Sequence, residues 1–171
     1  ANNQGIFKAL PVDYSYVSKD FFFHEEDIKI NLEGERPNII IGNSTAYDNN
    51  HLDVLEQLKN FALGERKIYM PLSYSPNPKY VALLCERGES YFGEHFIPMT
   101  QFLPFNEYKR IMNSCGFAIY AIERQMAIGN VISSLMLGAK VFLCKNSITY
   151  KHFIFFYCFE IFFLGLILNY I

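Results

Sequence analysis

The sequence predicts an α/β protein, with a parallel sheet covered by helices on both faces. Between residues 36 and 152, short apolar runs alternate with segments of helical period. The runs are apolar throughout and do not alternate with polar residues, which is typical of strands buried on both faces. Hydrophobic residues make up 51% of the 171 positions, enough for one core and too many for a disordered chain.

Five strands are predicted from their apolar, mostly β-branched or aromatic residues. The first follows Pro37 and ends at Gly42, and Pro71 cuts the second one short. In chain order we expect strands at 38–41, 67–71, 95–97, 117–121 and 140–144.

Four helices are predicted between these strands. Thr45 and Asp48 stand three apart in the capping-box pattern, so the first helix should begin there and continue to Gly64. The second should cover 80–87 and stop at Gly88, and the third should begin at Pro104. The fourth should cover 125–137, with Gly138 just past its end.

Charge and hydropathy divide the chain into three regions. Residues 1–35 carry seven acids and three lysines, 36–152 carry nine acids and twelve basic residues, and 153–171 carry one charge and eight aromatics. We expect an acidic lead-in, a ligand-binding α/β domain and an apolar tail.

The overall charge of −2 argues against a protein that binds nucleic acid by neutralising many phosphates. The four cysteines form no C-x-x-C pair, so neither a metal site nor a disulfide framework is indicated.

Ligands of parallel sheets bind at the carboxyl ends of the strands, which here lead into the loops 42–48, 71–78, 122–130 and 145–149. The turn Gly42-Asn43-Ser44 could present backbone N–H groups to an anion or could simply cap a helix. Arg124 could donate two hydrogen bonds to a diphosphate, and Gly129 permits close approach, although a solvated arginine and a packing glycine fit equally. Ser73 and Tyr74 could contact a sugar or base, or form a surface turn.

Three segments resemble a known family. They are IIIGNSTAYDNNHLDVLEQL, KIYMPLSYSPNPKYV and FLPFNEYKRIMNSCGFAIYAIERQMAIGNVISSLMLGAKVFL. The order and spacing of the GNS turn, the P-x-x-Y-x-P loop and the R-Q-x-x-I-G segment are similar to the TDP-N-acetylfucosamine:lipid II N-acetylfucosaminyltransferase family, also called the 4-alpha-L-fucosyltransferase family (glycosyltransferase group 56). The similarity covers about residues 11–151.

The resemblance implies the C-terminal, donor-binding domain of a GT-B glycosyltransferase, in which two Rossmann-like domains face each other across a cleft. It implies transfer of an N-acetylfucosamine-like deoxy-acetamido sugar, or fucose, from a TDP-linked donor to a lipid-linked saccharide, without a cofactor or metal. The resemblance also implies a role in glycolipid biosynthesis, in the pathway that makes enterobacterial common antigen. It implies a peripheral enzyme on the cytoplasmic face of the bacterial inner membrane.

The same resemblance implies which residues form the donor site. Gly42, Asn43 and Ser44 would lie near the donor diphosphate, and Ser73 and Tyr74 near the nucleotide. Four more residues would hold phosphate and sugar: Arg124, Gln125, Gly129 and Asn130.

The sequence departs from the family at both ends. Residues 1–35 are too short and acidic for an acceptor domain, so we expect a lead-in from a missing domain, a chain inactive by itself and no assignable catalytic base. Residues 153–171 could be a membrane-spanning helix of about 28 Å, a buried terminal helix or the product of a frameshift. A non-catalytic binding or membrane-associated protein with the same α/β domain remains the alternative function.

Overall fold

The computed structural model describes residues 35–74, 77–124 and 126–151, and the backbone of 162–163. Within these ranges six strands form one sheet in which every neighbouring pair is parallel. Its order is β3-β2-β1-β4-β5-β6, the order of a Rossmann-like fold, so the predicted α/β class is confirmed. The strands are β1 Asn38–Ile41, β2 Ile68–Pro71, β3 Phe96–Met99, β4 Cys115–Tyr120, β5 Lys140–Leu143 and β6 Phe162–Phe163.

The helices cover both faces of the sheet. The four helices between strands are α1 His51–Leu58, α2 Pro78–Phe92, α3 Phe105–Ser114 and α4 Ile128–Met136. A further helix begins at residue 148, after β5. Since successive strand residues point to opposite faces, Ile39 and Ile41 join one apolar cluster with α1 and α2, and Ile40 joins another with α3 and α4.

The predicted capping box at Thr45 is wrong. The Thr45 hydroxyl instead donates to the carbonyl oxygen of Tyr74 at 2.8 Å, and α1 begins only at His51. A 3-10 turn at Tyr47–Asn49 and left-handed Asn50, with φ 49°, fill the interval. The fourth helix likewise begins later than predicted, at Ile128.

Gly88 does not end α2, contrary to the prediction. The helix continues to Phe92 and is followed by Gly93, with φ 56°. A Cβ atom at Gly88 would lie 2.4 Å from the ring of Phe96 on β3. The glycine therefore allows α2 to approach the sheet closely.

Arg36 joins the amino-terminal edge of the sheet to two helix ends. Its Nε donates to the carbonyl oxygen of Asn113 at 2.7 Å, and one terminal nitrogen donates to that of Cys115 at 2.6 Å. The other donates to the carbonyl oxygen of Leu137, just after α4. Burial lowers the pKa of this guanidinium.

Residues 1–34 and most of 153–171, on which the lead-in and tail predictions fall, lie outside the described residues. The backbone of Phe162–Phe163 pairs with β5 through Phe142 and Leu143. In the part of the chain that the structure describes, no helix is long and apolar enough to cross a membrane.

Candidate functional site

The strand order fixes where a ligand site can form. From β1 the chain enters α1 on one face of the sheet, whereas from the adjacent β4 it enters α4 on the other face. A crevice forms at the carboxyl ends of parallel strands where the direction of winding reverses in this way. The candidate site is therefore the crevice between the β1–α1 loop, 42–50, and the β4–α4 loop, 121–127.

The β1–α1 loop is held by its own hydrogen bonds. The N–H of Gly42, which has φ 67°, donates to the carbonyl oxygen of Ile119 at 2.9 Å, and the N–H of Asn43 donates to Oδ1 of Asn49 at 3.2 Å. The Asn49 amide also donates to the carbonyl oxygen of buried Ser44 at 3.2 Å. The N–H groups of Gly42 and Asn43 are thus satisfied within the protein, so the turn acts as a scaffold for the site.

Bonds from this loop also reach the neighbouring strand ends. Both the backbone N–H and the hydroxyl of Thr45 donate to the carbonyl oxygen of Tyr74, and Nδ2 of Asn50 donates to the carbonyl oxygen of Ala121 at 2.6 Å. The loop therefore fixes the ends of β1, β2 and β4 relative to one another. Ser73 is partly exposed beside it, and the Tyr74 side chain is 72% exposed.

His51 lies directly under the Gly42 turn. The imidazole is fully buried, and a Cβ atom at Gly42 would lie 2.6 Å from its Nε2. Its Nδ1 lies 3.4 Å from the hydroxyl of Tyr80, and Nε2 has no hydrogen-bond partner among the described residues. Burial lowers the pKa of His51 to about 4, so the ring is neutral at physiological pH. Any residue larger than glycine at position 42 would therefore collide with the neutral imidazole of His51.

Arg124 is the cation of the crevice. Its Nε forms an ion pair with Oδ2 of Asp48, so the pair joins the β4–α4 loop to the β1–α1 loop. The two side chains are 62% and 47% exposed. Arg124 is therefore held in place and still accessible to a ligand. Its neighbour Gln125 lies outside the described residues.

The N-terminus of α4 adds a second positive feature. Ala127 precedes the helix in the left-handed conformation, φ 57°, and no described side chain caps the first turn, which contains Gly129. Unpaired N–H groups and the helix dipole favour an anion at such a position. The side chain of Asn130 points elsewhere, because its Oδ1 accepts from the hydroxyl of Tyr108 at 3.3 Å.

A cavity of about 360 Å³ opens beside the β1–α1 loop. The rings of Tyr47 and Tyr80 lie with their centroids 4.4 Å apart, and Nδ2 of Asn77 donates to the Tyr47 hydroxyl at 3.0 Å. The lining of the cavity combines aromatic, apolar, polar and oppositely charged side chains: Tyr47, Asn50, Leu52, Asp53, Lys79, Tyr80 and Leu83.

The structure thus brings most of the predicted residues to one edge of the sheet. Gly42–Ser44, Arg124 and Gly129 border the crevice, with Ser73 and Tyr74 after the neighbouring strand. Neither the scaffold roles of Asn49 and His51 nor the contact of Asp48 with Arg124 was predicted from the sequence. The available signal was the polar run Asp48-Asn49-Asn50-His51, which is unusually rich in hydrogen-bonding side chains for a strand-to-helix connection.

Comparison with known families agrees with this architecture. The family model described as 4-alpha-L-fucosyltransferase, glycosyl transferase group 56, matches residues 21–154. The match covers most of the chain, including β1 to β5 and both loops of the crevice. Its members are glycosyltransferases, enzymes that transfer a sugar from a donor to an acceptor. The chain belongs to the 4-alpha-L-fucosyltransferase family, glycosyltransferase group 56.

Proposed function

We propose that this domain binds the nucleoside diphosphate of a sugar donor in the crevice between the β1–α1 and β4–α4 loops. The observation that carries the proposal is that the ion-paired, accessible Arg124 and the uncapped N-terminus of α4 belong to the same β4–α4 connection, four residues apart in sequence. Both features favour an anion, and both lie where Rossmann-like sheets bind their ligands.

The proposed chemistry follows from the charge that develops during transfer. When an acceptor hydroxyl attacks the anomeric carbon, a new C–O bond forms, the hydroxyl loses its proton to a base, and the bond to the diphosphate breaks, so that negative charge accumulates on the departing oxygen. A guanidinium and a helix N-terminus stabilise such charge without a metal ion. Arg124 and the first turn of α4 are assigned this role, and Gly129 lets the phosphates approach the backbone.

The nucleobase is assigned to the cavity beside Tyr47. A base can stack on the exposed Tyr47 ring, while Asp53 accepts from an imide N–H and Lys79 donates to a ring carbonyl oxygen. This combination suits thymine or uracil and supports a TDP-linked donor.

The remaining parts of the proposal are supported by family membership alone. The family description names a fucosyltransferase. The transferred group is assigned as fucose or an N-acetylfucosamine-like deoxy-acetamido sugar, and the acceptor as a lipid-linked saccharide. Such an acceptor would bring the enzyme to the cytoplasmic face of the bacterial inner membrane as a peripheral protein. The corresponding pathway is the synthesis of enterobacterial common antigen, a glycolipid.

Isothermal titration calorimetry of the purified chain with TDP tests the donor site. TDP should bind, and Arg124→Ala should weaken binding by about 10- to 100-fold, since a charge-assisted hydrogen bond contributes about 1.5–3 kcal/mol. Arg110→Ala, which removes an exposed arginine on α3, is the matched control and should leave the affinity unchanged. UDP and ADP measure the base preference. Absence of heat with every nucleotide, in protein whose circular dichroism shows that it is folded, would overturn the proposal.

A further inference from the structure

We propose that Asp48 is a positioning residue that holds Arg124 in the orientation needed to bind the donor diphosphate. This inference rests on the proposed function, since Arg124 must contact the diphosphate for its orientation to matter. It assigns a role to a carboxylate that would otherwise count as an ordinary partner in a surface ion pair.

Asp48 engages one side of the Arg124 guanidinium. A guanidinium has five N–H donors, and Oδ2 of Asp48 contacts Nε. The two terminal nitrogens form the opposite end of the planar fork, and that end gives a bidentate contact with a phosphate. Asp48 therefore holds Arg124 by its side and leaves its phosphate-binding end available.

The backbone of Asp48 is itself held in place. It lies in the 3-10 turn Tyr47–Asn49, which the Asn49 side chain bonds to Ser44 and Ala46 at 3.1–3.2 Å. Nδ2 of Asn50 donates both to the carbonyl oxygen of Asp48, at 3.3 Å, and to that of Ala121, at 2.6 Å. The backbone of Asp48 is thus tied to the end of β4, three residues before Arg124.

Arg124 is largely exposed. An exposed arginine has many accessible rotamers, and a fixed partner reduces their number before the ligand binds. The negative charge of Asp48 opposes the diphosphate, so a carboxylate that did nothing else would weaken donor binding. The positioning role and simple repulsion therefore predict opposite effects when this charge is removed.

Calorimetry with TDP on single and double variants tests the proposal. Asp48→Asn should weaken TDP binding about 3- to 10-fold at 0.15 M NaCl and by less at 0.5 M NaCl, because salt screens the exposed ion pair that orients Arg124. Asp48→Glu, which retains the carboxylate, should recover part of the affinity. Glu123→Gln is the matched control, because it removes an exposed charge beside Arg124, and it should not weaken binding.

The double variant shows whether Asp48 acts through Arg124. In an Arg124→Ala background, Asp48→Asn should cause no further loss of TDP affinity. An equal loss in both backgrounds, or TDP binding that Asp48→Asn strengthens or leaves unchanged, would overturn the inference. Failure of the wild-type chain to bind TDP would instead overturn the proposed function, so the two failures are distinguishable. Thermal unfolding midpoints of Asp48→Asn and Glu123→Gln should agree, and a large drop confined to Asp48→Asn would show a structural role and refute the inference.

Discussion

Acidification should destabilise this domain through one buried group, His51. The ring has no exposed surface, and burial lowers its pKa from 6.5 to about 4. Between these two values the unfolded chain binds a proton that the folded chain does not, so stability falls as the pH falls. Each pH unit in this window costs about 1.4 kcal/mol, and the whole window therefore costs about 3 kcal/mol. That is a large fraction of the 5–15 kcal/mol of a typical domain.

Urea unfolding followed by circular dichroism measures this loss. The free energy of unfolding should fall by about 2 kcal/mol from pH 6.5 to pH 5, a range in which ordinary carboxylates stay mostly ionised. His51→Asn lacks the titrating group but keeps a polar atom near the Tyr80 hydroxyl. This variant should be less stable at pH 7 and should lose much less stability on acidification. Parallel pH curves for the wild-type chain and the variant would refute the reasoning.

Two further substitutions test the packing that supports the sheet. Gly88→Ala should destabilise the domain by about 1–2 kcal/mol in urea unfolding, because its Cβ would lie 2.4 Å from the Phe96 ring, although alanine is the better helix former. Ser90→Ala, at an exposed site on the same helix, should be neutral or slightly stabilising, and equal effects of the two would contradict the packing argument. Arg36→Met should lower the free energy of unfolding by about 2–4 kcal/mol, since it leaves backbone carbonyls at two helix ends without their charged donor. Arg110→Met alters an exposed side chain and should change the free energy of unfolding by less than about 0.5 kcal/mol. An equally small change for Arg36→Met would show that the buried guanidinium contributes little to stability.

The sequence was sufficient to predict β1 to β5, because their apolar runs directly reflect burial on both faces of the sheet, whereas β6 in the apolar tail was not predicted. Ile39, Ile40 and Ile41 illustrate this, since they alternate between the two apolar clusters and none is more than 1% exposed. The order of the strands was not predicted. It depends on pairings such as Ile41 with Ile119, which are far apart in the chain and leave no local signal.

Local patterns failed where a tertiary contact competed with them. Thr45 has the right spacing for a capping box, but its hydroxyl contacts the end of the neighbouring strand. Gly88 was predicted to end a helix, but the helix continues and the glycine is needed because a Cβ atom there would collide with the Phe96 ring. The buried state of His51 was equally hidden, because a polar residue at the start of a helix is normally expected in solvent.

The completed hydrogen bonding of the β1–α1 loop affects how a donor would bind there. Asn49 and Asn50 fix the loop by hydrogen bonds within the protein, so binding would not have to order it and would lose little conformational entropy. Such preorganisation separates two kinds of substitution. Changes within the scaffold should appear chiefly as altered stability, whereas changes at Arg124 should appear chiefly as altered affinity.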